Sequence, residues 1–237
     1  MRILITGTSS GIGYGLAKNF LKQNAEVLGI SRREPKDLLK HPHYHHLSID
    51  LTRPGDLNKL LPGFLSDTDR LDRVILNSGV LGEIKYMKET SLEEMKAVME
   101  INVWANKSLL DLLFNLNINI EQVVGISSGA ALRSTPGWGS YALSKAGLDM
   151  LMNIYAKEYP ETHFSAFAPG LVDTQMQDYI YQIEDVEKYP SAKNLQQARY
   201  TDEMPDPVSA ASKLIRGMEK ALEYDSGSHV DVREMGL

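Results

Sequence analysis

Tyr141 and Lys145 stand four residues apart, and Ser128 lies 13 positions before Tyr141. In a helix, positions i and i+4 share one face, so the phenol and the ammonium project together. A free tyrosine has a pKa of about 10, too high to exchange protons readily at neutral pH. A neighbouring cation favours the phenolate, and bringing the value to about 7 takes roughly 4 kcal/mol of differential stabilisation. A serine hydroxyl at a strand end can donate to a carbonyl oxygen and hold it beside such a tyrosine. The set fits acid–base chemistry at a carbonyl, with the serine orienting and the tyrosine moving the proton.

A second group of residues reads Thr6-Gly7-Thr8-Ser9-Ser10-Gly11-Ile12-Gly13, between an apolar run and a helical pattern. Glycines at 7, 11 and 13 permit a tight turn and let backbone N–H groups of Ser9, Ser10 and Ile12 approach a pyrophosphate at a helix N-terminus. A strand–turn–helix context is what a dinucleotide site requires. At the end of the second strand the chain reads Ser31-Arg32-Arg33, with no carboxylate until Glu34. A carboxylate there would bind a ribose 2′-hydroxyl, whereas guanidiniums and a hydroxyl suit a 2′-phosphate, so NADP(H) is the expected cofactor. Hydride from its nicotinamide and a proton from Tyr141 would reduce a small-molecule carbonyl.

The elements that must position these residues alternate along the chain. Strands are expected at Arg2 to Thr6, Glu26 to Ile30, His46 to Ile49, Leu71 to Leu76, Val123 to Ser127, Phe164 to Ala168 and His229 to Val232. Helices are expected at Gly11 to Gln23, from Pro54 to Leu61, from the Ser91 cap to about Leu116, from Ser140 to Tyr159 and from Pro207 to Leu222. Strands alternating with helices imply an α/β fold, a Rossmann-type doubly wound parallel sheet in one domain over residues 1–237. Gln175 to Pro205 breaks the rhythm: it is polar, rich in Gln and Tyr, with no clear strand. A long excursion inside a compact domain is expected to act as a lid over the site.

Composition narrows the classes. The 237 residues contain no cysteine, 24% charged residues and a net charge of −6. That excludes a disulfide framework and thiolate chemistry, and it argues against wholesale binding to nucleic acid or an anionic membrane. No apolar stretch reaches the roughly 18 residues of a membrane helix, and the opening MRILITG is too short and Gly-bounded for a signal peptide. A soluble, cytoplasmic protein is expected. His41, His43, His45 and His46 cluster around Tyr44, but without an acidic partner nearby in sequence they read as a solvated strand entrance, and no metal is expected. Trp104, Leu109, Leu110, Leu112 and Leu113 make one apolar helix face, and Leu148, Leu151, Met152 and Ile154 another.

Taken in order, these motifs resemble the short-chain dehydrogenase/reductase family in its single-domain branch, over nearly the whole chain. The glycine turn, the Tyr141-x-x-x-Lys145 pair and the serine 13 residues before the tyrosine carry the resemblance, with Asn102 at the family's helix-asparagine position. The resemblance implies the strand order 3-2-1-4-5-6-7. It implies adenine contacts by Asp50 and Leu51 and ring or backbone contacts by Asn77 and Gly79, although Leu76-Asn77-Ser78-Gly79 departs from the family's N-N-A-G at two positions. It further implies nicotinamide contacts by Pro169, Gly170, Val172 and Thr174, a ribose contact by Lys145, and a water held by Asn102. Members associate through two helices, so a homodimer or homotetramer is expected.

Within the family, Pro169 to Gln177, Ile126 to Ala131 and Ser226 to Asp231 are most similar to sepiapterin reductase and bacterial benzil reductases. That implies reduction of a ketone, a vicinal diketone or a pterin-like carbonyl. Trp138 and Met176 would border the substrate, and Asp231 would meet a pterin's guanidine-like edge. A non-catalytic NADP(H)-binding regulatory protein on the same fold is the alternative, but such proteins typically lose the tyrosine or lysine present here. The branch of epimerases and dehydratases uses G-x-x-G-x-x-G and a larger C-terminal region; Ser10 and the short chain after Gly170 do not match it.

Overall fold

The computed structural model describes residues 1–133 and 135–237. Its strands are β1 (Arg2–Thr6), β2 (Glu26–Ser31), β3 (Tyr44–Ser48), β4 (Arg70–Leu76), β5 (Asn119–Ile126), β6 (His163–Ala168) and β7 (Ser228–Asp231). Its α-helices are α1 (Gly11–Lys22), α2 (Pro54–Phe64), α3 (Leu92–Met99), α4 (Ala105–Asn115), α5 (Gly139–Glu158), α6 (Gln175–Tyr181), α7 (Pro190–Ala198) and α8 (Pro207–Lys220). The seven strands form one parallel sheet in the order β3-β2-β1-β4-β5-β6-β7. This is the doubly wound Rossmann-type arrangement expected.

Alternation along β1 shows why both faces need helices. Ile3 and Ile5 pack with Leu16, Phe20, Leu214 and Met218 from α1 and α8. Leu4, between them, joins Leu57, Leu61, Leu109 and Leu113 from α2 and α4 on the opposite face. Successive strand residues point to opposite faces, so a strand whose centre is Ile3-Leu4-Ile5 must be covered twice. The turns at the strands' carboxyl ends then fall along one edge of the sheet, where a ligand crevice forms.

Three of the departures from the expected boundaries have a local structural reason. β3 begins at Tyr44 rather than His46, because Tyr44 is buried with its hydroxyl 2.8 Å from Thr8 Oγ1 and 3.0 Å from His46 Nδ1. β5 begins at Asn119, four residues early, because Gln122 is not a surface polar residue. Its side chain accepts from buried Arg73 Nε at 2.6 Å and donates to Met218 O at 2.7 Å. The helix expected from Ser91 to Leu116 begins with its capping box, Glu94 N donating to Ser91 Oγ and Ser91 N to Glu94 Oε2. It is then interrupted by a π turn at Glu100–Trp104. Such single turns re-aim a side chain inside an otherwise regular helix.

Gln175–Pro205 is not irregular throughout: it carries α6 and α7. The apolar helix faces also divide. Leu109, Leu110, Leu113, Leu148 and Met152 enter the core, while Trp104, Leu143, Met150 and Ile154 stay about half exposed. Among the described residues no helix is long and apolar enough to cross a membrane, and no group of three or more His, Cys, Asp or Glu side chains is gathered as a metal would need. His45 instead lies 3.6 Å from Glu26.

The α1–α8 contact depends on Gly15, where an added Cβ would sit 2.1 Å from Pro207 O, a backbone atom that cannot swing aside. Gly15→Ala should therefore cost about 2–3 kcal/mol, a fall in Tm of roughly 4–10 °C by scanning calorimetry. Gly63→Ala, on α2 with nothing within 4 Å of the new methyl, should raise stability by up to about 1 kcal/mol.

Candidate active site

The strands' carboxyl ends open into a cleft of about 810 Å³. Gly7, Ser9, Ser10, Gly11 and Ile12 line one end, with Ser31, Arg32, Arg33, Asp50 and Leu51 beside them. Asn77 and Gly79 follow from the turn after β4. Ser128, Trp138, Tyr141 and Lys145 form the opposite wall, and Pro169, Gly170, Val172, Thr174 and Met176 close it from the β6 side. Three expected residues do not line the cleft: Gly13, Asn102 and Asp231 lie behind its walls.

The glycine turn is braced by its neighbour. Asn77 Nδ2 donates to Thr6 O at 2.9 Å, and the backbone N–H groups of Asn77 and Ser78 donate to Thr6 Oγ1 at 2.9 and 3.0 Å. Gly7 has a φ of 76°, and a Cβ there would meet Asn77 Nδ2 at 2.8 Å, so both conformation and space demand glycine. α1 starts at Gly11 after Ser10, which is extended and makes no side-chain cap hydrogen bond. The first N–H groups of α1 thus remain available to an anion at the positive end of the helix. Asp50 uses one oxygen, Oδ1, to accept from Thr52 N and Oγ1 at 3.1 and 2.8 Å. Those hydrogen bonds, with Arg32 and Arg53 nearby, outweigh desolvation and hold its pKa below the usual value. Uncapped helix donors, two exposed guanidiniums and a carboxylate fit the phosphates and adenine of a dinucleotide.

At the chemical end, Lys145 is buried and its Nζ donates to Ile126 O at 2.7 Å. Burial lowers its pKa to about 8, opposed by the charge of Asp149. The lowered tyrosine value expected above is not found in the cofactor-free chain: burial pushes Tyr141 up to about 12, with a hydrogen bond to Ser128 pulling the other way. Desolvation prevails because Lys145, itself lowered to about 8, has lost its charge in the range where a phenol near 12 would ionise. At neutral pH the phenol keeps its proton.

Asn102 is fully buried, and the π turn aims it at two elements. Its Nδ2 donates to Val80 O at 2.9 Å and Ser144 Oγ at 2.8 Å, while Oδ1 accepts from Val80 N at 2.8 Å. Ser144 Oγ in turn donates to Tyr141 O at 2.7 Å. Asn102 therefore ties the β4 turn to α5, one step from the reacting atoms, and its backbone C=O is capped by Asn106 Nδ2 at 2.9 Å. Asp231 is held by its own neighbour: Arg233 Nε lies 2.9 and 3.2 Å from its two oxygens, and Nη2 lies 2.5 Å from Oδ2. The guanidinium, not the carboxylate, faces the cleft.

Sequence reasoning passed over Ser144, Asp149 and Arg233. The first two share a helix with Tyr141 and Lys145 at spacings that could have found them. Arg233 stands two residues after Asp231, in the short 3-10 turn Val232–Glu234 that Asp231 caps by accepting from Arg233 N. Apolar residues from α6 and α7 were also missed. Ile180 and Ala192 pack with Leu81, Ile84, Trp138 and Tyr141. Arg199 Nε anchors these helices to Asp173 Oδ1 at 3.1 Å, and its Nη2 bonds Asp178.

A sequence model described as short chain dehydrogenase matches residues 1–185. The chain belongs to the short chain dehydrogenase family. It is 30% identical to the benzil reductase ((S)-benzoin forming) of Bacillus subtilis, over 98% of each chain. It is 29% identical to the sepiapterin reductase of Rattus norvegicus, over 96% of this chain and 94% of the relative. The crystal structure of the YIR035C short chain dehydrogenase/reductase from Saccharomyces cerevisiae superposes with a TM-score of 0.86 at 24% identity, covering 98% of this chain and 96% of that one. As a family member the chain is an oxidoreductase, with a nicotinamide cofactor as the family's redox partner.

A buried ammonium bonded to a single carbonyl is a burden on the cofactor-free fold. Since the folded value of Lys145, about 8, lies below the ordinary 10.5, the penalty is full below pH 8 and fades as pH rises toward 10.5. Lys145→Met should therefore stabilise the cofactor-free protein by about 2 kcal/mol at pH 6–7, and by little at pH 10. Thermal melts at the two pH values measure the difference.

Proposed function

We propose that this chain is an NADPH-dependent carbonyl reductase acting on aryl ketones and vicinal diketones. The observation that carries the reading is one cleft with Ser128, Tyr141 and Lys145 at one end and the uncapped α1 N-terminus with Arg32 and Arg33 at the other. Bound NADPH supplies the hydride. Ser128 orients the carbonyl oxygen by donating to it, and Tyr141 gives that oxygen its proton. A phenol whose pKa stands near 12 is protonated when substrate arrives, as a proton donor must be. Lys145 binds the cofactor's ribose side and places a cation beside the phenolate that remains after transfer. Asn102, through Ser144, positions the helix that bears both.

The substrate class follows from the wall around Tyr141. Leu81, Ile84, Trp138, Ile180 and Ala192 make it apolar, with Met176 packed against them, which favours aromatic groups flanking the carbonyl. The benzil reductase relative acts on such a diketone by its name. A pterin edge finds less here, because Asp231 is already engaged by Arg233. We assign the region 175–205 to a substrate lid, since α6 and α7 supply part of that apolar wall. We assign the exposed apolar residues Trp104, Leu143, Met150 and Ile154 on the π turn and α5 to a homodimer contact, which a homotetramer would reuse.

The test is NADPH oxidation followed by absorbance against vicinal diketones, aromatic ketones, aldehydes and sepiapterin. Diketone turnover should exceed sepiapterin turnover, and Tyr141→Phe should reduce it by at least about 10³-fold while leaving NADPH binding nearly intact. A fully active Tyr141→Phe protein would remove the proton-donor assignment. No turnover across the panel with NADPH bound would favour a regulatory protein instead.

Replacing Arg32 and Arg33 together with Ala should weaken NADPH by about 10- to 100-fold and NADH by little, as read by fluorescence titration. Equal losses for the two cofactors would remove the 2′-phosphate argument.

A further inference from the structure

Below Lys145 on the inner face of α5 lies a carboxylate that the reaction as written does not use. Asp149, one turn on, is largely buried between two other elements. Its Oδ1 accepts from the hydroxyl of Ser127, and its Oδ2 is 2.7 Å from His229 Nδ1 on β7. Ser127 lies between Ile126, whose carbonyl holds Lys145, and Ser128. The Ser127 N–H donates to Phe167 O at 2.8 Å, so this residue is pinned by backbone from β6 and by side chain from α5.

The charged and titratable groups around the site are few. Tyr141 and Lys145 share the helix with Asp149, and β7 contributes His229 and Asp231, the latter neutralised by Arg233. Asp149 is the one anion whose field is felt at Lys145. A like-shaped amide would keep an acceptor for the Ser127 hydroxyl, turn its NH2 toward His229 Nδ1, and lose the charge.

We propose, resting on the carbonyl-reductase reading, that Asp149 is the positioning residue of this site: through Ser127 it fixes the strand end carrying Ile126 O and Ser128, and through its charge it keeps Lys145 an ammonium. His229 and Ser127 hold the carboxylate in place for both tasks. The buried lysine then has its hydrogen bond from one residue and its counter-charge from another. Among the described residues no carboxylate charge bears on Tyr141.

The test reads Lys145 directly. In cofactor-free protein labelled with [13Cε]lysine, NMR titration of the Lys145 signal, assigned by its loss in Lys145→Met, should give a midpoint near 8. Asp149→Asn should lower that midpoint by about one unit, and Asp149→Glu, which keeps the charge, should leave it close to wild type. If the amide does not fold, Asp149→Ser removes the charge with a smaller side chain and should shift the midpoint the same way. An unchanged midpoint in the neutral variants, or an equal shift in Asp149→Glu, overturns the proposal. In diketone reduction, the alkaline limb of kcat/KM should move down by the same unit in Asp149→Asn, a roughly ten-fold loss above the limb, which a merely structural role would not produce. Were wild-type protein to reduce no carbonyl, the functional reading would fall while the NMR titration still decided the role of Asp149.

Discussion

The hydrogen bond from Lys145 to the carbonyl of Ile126 joins the two things this structure has to reconcile. A parallel sheet ends in turns where backbone carbonyls lose their strand partners, and a helix crossing above can reach them only with a long side chain. Lysine reaches, but it carries a charge into a place where water does not follow. The burial that fixes the ammonium also lowers its pKa to about 8, so the group is held in geometry and poorly held in charge. Asp149, on the same helix, offsets only part of the desolvation, with Ser127 and His229 setting the carboxylate in place.

The same economy of shared anchors runs through the rest of the cleft. Thr6 Oγ1 accepts two backbone N–H groups from the turn after β4, which is why the glycine turn and the Asn77 turn cannot move separately. Asn102 joins the next stretch of that turn, at Val80, to α5 through Ser144. The cofactor end and the chemical end are thus linked by buried hydrogen bonds between strand ends, rather than by the two apolar cores on either face of the sheet. Those cores set the spacing of the layers. The polar ties set the positions of the reacting groups.

Local spacing made part of this legible in the sequence. Tyr141 and Lys145 share a helix face, and the glycine turn sits between an apolar run and a helical pattern, so neither needed long-range knowledge. Asn102 could be picked as a residue but not understood, since its aim depends on a π turn that no periodicity signals. Gln122 and Arg73 concealed the start of β5 because a buried polar pair looks like surface until its partners are seen. Asp231 looked free for a ligand because its partner, Arg233, comes from the segment just beyond the strand. Asn102, Gln122, Arg73 and Asp231 share a cause: each is a polar side chain whose meaning lies in a contact.

The tyrosine presents the reverse case, in which the residue is plain and its state is not. Type and spacing lead one to expect a phenol brought down toward neutrality by the lysine beside it. The fold brings the pair together by burying both, and burial acts on each against its charged form, raising Tyr141 to about 12 and lowering Lys145 to about 8. Two groups that would stabilise each other as an ion pair are therefore both pushed toward neutrality in the cofactor-free chain. That state suits a proton donor: the phenol arrives protonated, and the cost of its phenolate falls only when positive charge has gathered around it. The proposed reduction asks for a proton held until the carbonyl oxygen becomes basic: the buried phenol holds it, and the charge that its phenolate then needs must come from Lys145 with Asp149 behind it.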